Sequence, residues 1–216
     1  MHFHIITLFP KAFDSYLGES ILKRAIEDKK IKVSLYNPRD FVENKWKRID
    51  RPPYGGGPGL VIEALPVVKA IDFVLKSNKL KAGSYKIIFF SPRGEQFDNT
   101  YAQKVAKKYE HIILVCGRYE GIDARVRKVF KMEEVSVGPF VLTGGELPAM
   151  LVIDTISRQV EGVLGNFDSL EERRVSTGEV YTRPEVFTYK KKSYRVPKIL
   201  LSGHSAKIEE WKKKQK

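Results

Sequence analysis

One cysteine, Cys116, stands among 216 residues. An internal disulfide and a cysteine-built metal cluster are therefore both excluded, and a cytoplasmic location is expected. Nowhere does the chain reach the roughly 18 consecutive apolar residues that suggest a membrane span, so no membrane partner is expected. The start lacks the basic flank of a secretory leader: Met1-His2-Phe3-His4-Ile5-Ile6 is soon interrupted by Pro10 and Asp14. Histidine is scarce, at 4 residues, and only His2 and His4 are neighbours in sequence. They share one face of an expected first strand, a pairing read as structural. No metal ligand is assigned.

Acidic residues are in deficit, 26 against 39 basic ones, for a net charge of +13. Such a surface attracts polyanions through long-range Coulomb forces, which favours nucleic acid as the partner. Charge alone does not separate a binding module from an enzyme.

Short β-branched and aromatic runs at 3–8, 31–36, 86–90 and 111–115 read as strands. Helical spacing joins Leu17, Ile21, Leu22, Ala25 and Ile26, and Asp98 is placed to cap a helix carrying Tyr101, Val105 and Tyr109. Strands separated by helices predict an α/β fold with a parallel sheet. From 161 to 182 the chain turns polar and loses periodicity, which reads as a flexible linker. That divides the sequence into a catalytic domain over 1–160, the linker, and a small basic domain over 183–216. The last domain carries Lys190-Lys191-Lys192 between Tyr189 and Tyr194, then a terminal helix with Glu210 and Lys214 at i,i+4. The lysines are either phosphate contacts or a solvated hairpin tip.

Four glycine-bearing segments stand near the strands: Pro53–Gly59, Ser91–Gly94, Cys116–Gly121 and Leu142–Glu146. None carries the Gly-Lys-Ser/Thr phosphate cradle or the spacing of the dinucleotide fingerprint. In open α/β sheets, ligands collect beyond the carboxyl ends of strands, so these loops are candidates for one shared pocket. A nucleoside ligand without a phosphate fits this pattern.

The ordered series YGGGPG, SPRG, CGRYEGID, SVGPFVLTGGELPAM, YTRPE and VPKILLSGH resembles the bacterial tRNA (guanine-37-N1)-methyltransferase family, part of the SPOUT superfamily. The likeness runs from Phe3 to about Trp211. It implies a deep trefoil knot, a small, mainly helical C-terminal domain, an obligate homodimer with tRNA across both chains, and a need for Mg²⁺. It further implies methylation of guanosine N1 at tRNA position 37, which supports reading-frame maintenance. The methyl donor, S-adenosylmethionine, would meet Ser91, Pro92, Gly117, Glu120, Val137, Gly138, Pro139, Phe140, Val141, Leu142, Gly144 and Gly145, mostly through backbone.

Guanine N1 bears a proton, so methylation needs a general base, and charge growing on O6 needs a cation or donor. Arg158 aligns with the family arginine at the target guanine, with Asp154 four residues earlier to orient it. The family's acid, usually Asp, falls on Arg173 here, followed by Arg174. Glu172 is the preferred replacement, with Glu171 and Asp168 as alternatives. Neighbouring guanidinium groups would lower a carboxylate's pKa and weaken it as a base. That departure keeps two other readings open: a SPOUT enzyme with an altered target, and a non-catalytic RNA-binding protein.

Overall fold

The structure, a computed structural model, describes residues 1–164 and 179–214. Two compact units divide the chain, Met1–Leu164 and Gly165–Lys216.

In the first unit, five parallel strands form one sheet: β1 (His2–Ile6), β2 (Lys32–Tyr36), β5 (Tyr85–Gln96), β6 (His111–Val115) and β7 (Glu133–Ser136), in the order β2-β1-β6-β5-β7. A separate two-stranded ribbon joins β3 (Asp50–Arg51) to β4 (Val61–Ile62). The central strands β1 and β6 are buried on both faces because helices cover both, and apart from His2, His4 and His111 they are apolar there. On one face, Phe3, Ile5, Ile112 and Leu114 pack with Leu22, Ala102, Val105, Val152 and Ile156. These come from α2 (Ser20–Glu27), α4 (Asn99–Lys108) and α6 (Glu146–Ser157). On the other, Ile6, Ile113 and Val115 meet Val67, Ile71 and Val74 of α3 (Ala64–Ser77) and Val126 of α5 (Arg125–Val129).

Local signals set several boundaries. Asp98 Oδ1 accepts the Tyr101 N–H at 2.6 Å, the cap its position predicted. The helix expected across 17–26 is split: α1 (Asp14–Leu17) ends at Gly18, and Ser20 opens α2 at φ 52°. β7 was not legible, since Glu-Glu-Val-Ser lacks an apolar run. It forms because an edge strand needs only one apolar face, supplied by the fully buried Val135.

In the second unit, β8 (Val186–Tyr189) and β9 (Lys192–Arg195) make an antiparallel hairpin, followed by α7 (Ser205–Lys214). A 3-10 turn at Lys198–Leu201 precedes α7, so helix and hairpin share the described residues of this unit. Alternating Val186, Thr188 and aromatic partners favour strand, and Lys190 and Lys191 take the left-handed turn at φ 46° and 63°.

Candidate active site

Carboxyl ends of the parallel strands meet at one cavity. β5 contributes through a break in its pairing with β7: Phe90 and Glu95 both pair with Val135, so residues 91–94 bulge out of the ladder. β6 ends at Val115 and leads into Cys116–Gly121, while β7 leads into the loop reaching Gly145. These three segments wall a cavity of about 370 Å³, a size suited to a small organic ligand.

Ser91, Pro92, Gly117, Glu120, Val137, Gly138, Phe140, Val141, Leu142, Gly144 and Gly145 all line it. Pro139 does not; it is exposed between two lining residues. Sequence reading also missed Phe89, Arg118, Thr143 and Pro148, which share the wall. The fourth glycine segment, 53–59, lies outside the lining and abuts the rim. There the Glu120 N–H donates to Leu60 O at 3.0 Å, and a Cβ on Gly59 (φ +84°) would sit 2.5 Å from Glu120 Oε1.

Two loops far apart in sequence are locked together beside the cavity. Gly145 N–H donates to Gly117 O at 2.9 Å, and Arg118 bridges Gly144 in antiparallel fashion. A Cβ on Gly145 would lie 2.6 Å from Cys116 Cα, closer than side chains approach, so only glycine permits this contact. Arg118 Nε pairs with Glu146 Oε2 at 2.8 Å, and Thr7 Oγ1 donates to Glu146 Oε1 at 2.8 Å. The carboxylate of Glu146 is thus buried with both oxygens engaged. Arg118 also stacks over the Phe9 ring at 4.7 Å and donates to Thr143 O at 3.3 Å. Arg118 sits within the CGRYEG motif, but its partner was not legible at a separation of 28 residues. Burial pushes the Cys116 thiol well up, so it behaves as a small packed hydrophobe.

The remaining expected residues stand elsewhere. Pro148 in the first turn of α6 touches the cavity, whereas Arg158 caps the helix's far end. Twelve helical residues separate the two ends, about 18 Å along the axis. Within one chain, Arg158 is therefore not part of the cavity wall. Asp154 takes the Tyr16 hydroxyl on its carboxylate, while its backbone carbonyl accepts the Arg158 N–H at 3.1 Å. Glu172, with Glu171, Asp168, Arg173 and Arg174, lies outside the described residues.

The cavity wall is built largely of backbone and apolar side chains, with Glu120 its one carboxylate among the described residues. Among the described residues its one cation is Arg118, already paired with Glu146, and no lysine contributes. Such a wall suits an uncharged nucleoside better than a phosphate, and Glu120 offers a counter-charge to a sulfonium or ammonium group.

A family model described as tRNA (guanine-1)-methyltransferase TrmD matches residues 1–216. Proteins named tRNA (guanine-N(1)-)-methyltransferase are similar along the whole chain. One from Caldanaerobacter subterraneus subsp. tengcongensis is 46% identical over 219 residues, covering 100% of this chain and 86% of the relative. Another, from Clostridioides difficile (strain 630), is 42% identical, covering 100% and 92% respectively. A third, from Moorella thermoacetica, is 40% identical, covering 100% and 85%. With its whole length matched and its glycine loops converging on one cavity, the chain belongs to the tRNA (guanine-1)-methyltransferase family.

Proposed function

We propose that the protein transfers the methyl group of S-adenosylmethionine to N1 of guanosine 37 in tRNA, and thereby supports reading-frame maintenance. The observation that carries this reading is the convergence of three separated glycine segments on one cavity. The donor fits there on structural grounds. The volume suits it, backbone edges can read adenine, and the tight Gly145–Cys116 approach fixes two of the loops that wall the cavity. When bound, the donor supplies an electrophilic methyl group, and the loops fix its direction for in-line displacement.

Arg158 is assigned to stabilise charge on guanine O6, and Glu172 to remove the N1 proton. Asp154 is assigned to position Arg158 through the α6 terminus. Since Arg158 sits one helix length from its own chain's cavity, the assignment requires a second copy to bring an arginine to each donor site. A homodimer is supported by α6 itself, whose Leu147 and Leu151 are exposed one turn apart, while Phe9, after β1, and Tyr16, in α1, are exposed as well. Apolar surface of this kind marks an interface. A trefoil knot is also proposed, supported by the return of the chain from edge strand β7 to lie against Gly117.

The basic segment 183–216 is assigned to grip tRNA, with 161–182 as the linker to the catalytic domain 1–160. Support comes from Phe187 and Tyr194, whose exposed rings stack at 5.1 Å, and from Lys192, set 5.5 Å from the Tyr194 ring. Cations interleaved with aromatics suit phosphate contact and base stacking. A requirement for Mg²⁺ and a cytoplasmic location are proposed on the family likeness. No helix among the described residues is long and apolar enough to cross a membrane.

The test is incubation with labelled S-adenosylmethionine and tRNA transcripts bearing G or A at position 37. Transfer to the G form alone supports the proposal. Transfer to both forms favours an altered target, and tRNA binding without transfer favours a non-catalytic binder.

A further inference from the structure

We propose that His2, His4 and His111 form a binding site for one divalent transition-metal ion of the kind that prefers imidazole, such as Zn²⁺. In sequence only the first two are neighbours. The parallel register of β1 and β6 sets His111 opposite His2, and strand alternation keeps His4 on the face of His2. One ring nitrogen from each lies within 4.8 Å of the other two. His2 and His4 are buried, and His111 is half-buried at the start of β6.

The rings are already held as metal ligands are held. Ligating histidines usually have their second nitrogen fixed by an outer partner. Here His4 Nδ1 meets the Tyr36 hydroxyl at 3.2 Å and His2 Nε2 meets Ser34 Oγ at 2.9 Å. That leaves His4 Nε2 and His2 Nδ1 for an ion. His4 Nε2 faces His111 Nδ1 at 3.0 Å. One proton lies between those two nitrogens. An ion accepting both lone pairs takes its place, and the proton moves to the outer nitrogen of the ring that carried it, His4 Nδ1 or His111 Nε2, so all three imidazoles stay neutral. Ligand nitrogens about 2.0–2.1 Å from a tetrahedral ion lie about 3.4 Å apart, so small ring rotations suffice.

The ligand set selects against Mg²⁺, which demands oxygen. The cluster also stands at the amino ends of β1 and β6, whereas the cavity stands beyond the carboxyl ends. Four residue steps of β6 separate the two levels, about 13 Å. The ion would therefore clamp the first strand to the sheet without touching the methyl-transfer chemistry.

Tag-free full-length protein, stripped with a chelator, is titrated with Co²⁺ and then Zn²⁺ in excess Mg²⁺. Binding is followed by calorimetry and by the visible spectrum of the Co²⁺ ion. One ion per chain is expected, with Co²⁺ displaced by Zn²⁺ and Tm raised on loading. His111→Gln, at the half-buried position, should bind at least about tenfold more weakly, with an unchanged circular dichroism spectrum; His4→Gln should do the same. Absence of saturable one-to-one binding, equal affinity in a folded His111→Gln variant, or loss of binding to excess Mg²⁺ would each overturn the proposal.

Discussion

Arg118 Nε and Glu146 Oε2 meet at 2.8 Å beside the cavity and join the loop after β6 to the first turn of α6. Glu146 is buried, so removing its partner leaves a carboxylate with one oxygen unserved while Thr7 still engages the other. Arg118→Ala should cost about 3 kcal/mol of stability and raise KM for the methyl donor more than it lowers kcat. Denaturant unfolding and steady-state kinetics check both; an unchanged donor KM would separate the brace from the cavity's shape.

At Gly145 the approach to Cys116 leaves no place for a methyl group, since a Cβ would lie 2.6 Å from Cys116 Cα. Gly145→Ala must push the two loops apart, at a cost of about 1–3 kcal/mol. Calorimetry should find donor binding weakened at least about tenfold, the factor that 1.4 kcal/mol represents. The helix itself should persist, because Gly145 has φ −83°, open to alanine.

Much of this arrangement was legible before the structure, and the reasons differ by element. β6 announces itself because a central parallel strand is apolar on both faces, and β1 does so through Phe3, Ile5 and Ile6. Asp98 was legible because a cap acts over three residues. Loop residues such as Gly117 and Gly144 were found as motif members, yet Arg118 and Glu146 could not be paired from sequence because the fold alone unites them. His111 joined His2 and His4 for the same reason: strand register is set by neighbours distant in the chain. Pro139 was carried along with its loop, although the turn points it outward.

Burial and neighbouring positive charges shape the histidines' titration in metal-free protein. Burial, then Lys32, holds His2 at about 4 against an ordinary 6.5, and burial, then His2 and His111, holds His4 at about 3. His111 is lowered chiefly by burial, with Glu110 opposing and the N-terminal amine adding to the shift. Ser34 and Tyr36 face the rings from β2. Below pH 6.5 the unfolded chain binds protons that the folded one refuses, so stability falls with pH across the window from about 6.5 to about 3. Urea midpoints of chelator-treated protein should drop through this range, and more shallowly in His4→Gln; identical slopes would assign the effect to other groups.

Glu172→Gln should lower turnover by about 10²–10⁴, the usual contribution of a general base, while leaving donor affinity near that of the parent. Arg158→Ala should cost about 10²–10³ if it serves O6. Single-turnover rates, measured with donor and tRNA saturating, check both. Full activity in Glu172→Gln would move the base to Glu171 or Asp168.

Nucleoside analysis of tRNA recovered after reaction with methyl-labelled S-adenosylmethionine bears most directly on the whole account. The label should appear as 1-methylguanosine with the parent protein and fall sharply with Gly145→Ala. Label on any other nucleoside, or unmodified tRNA despite a donor-loaded protein, would contradict it.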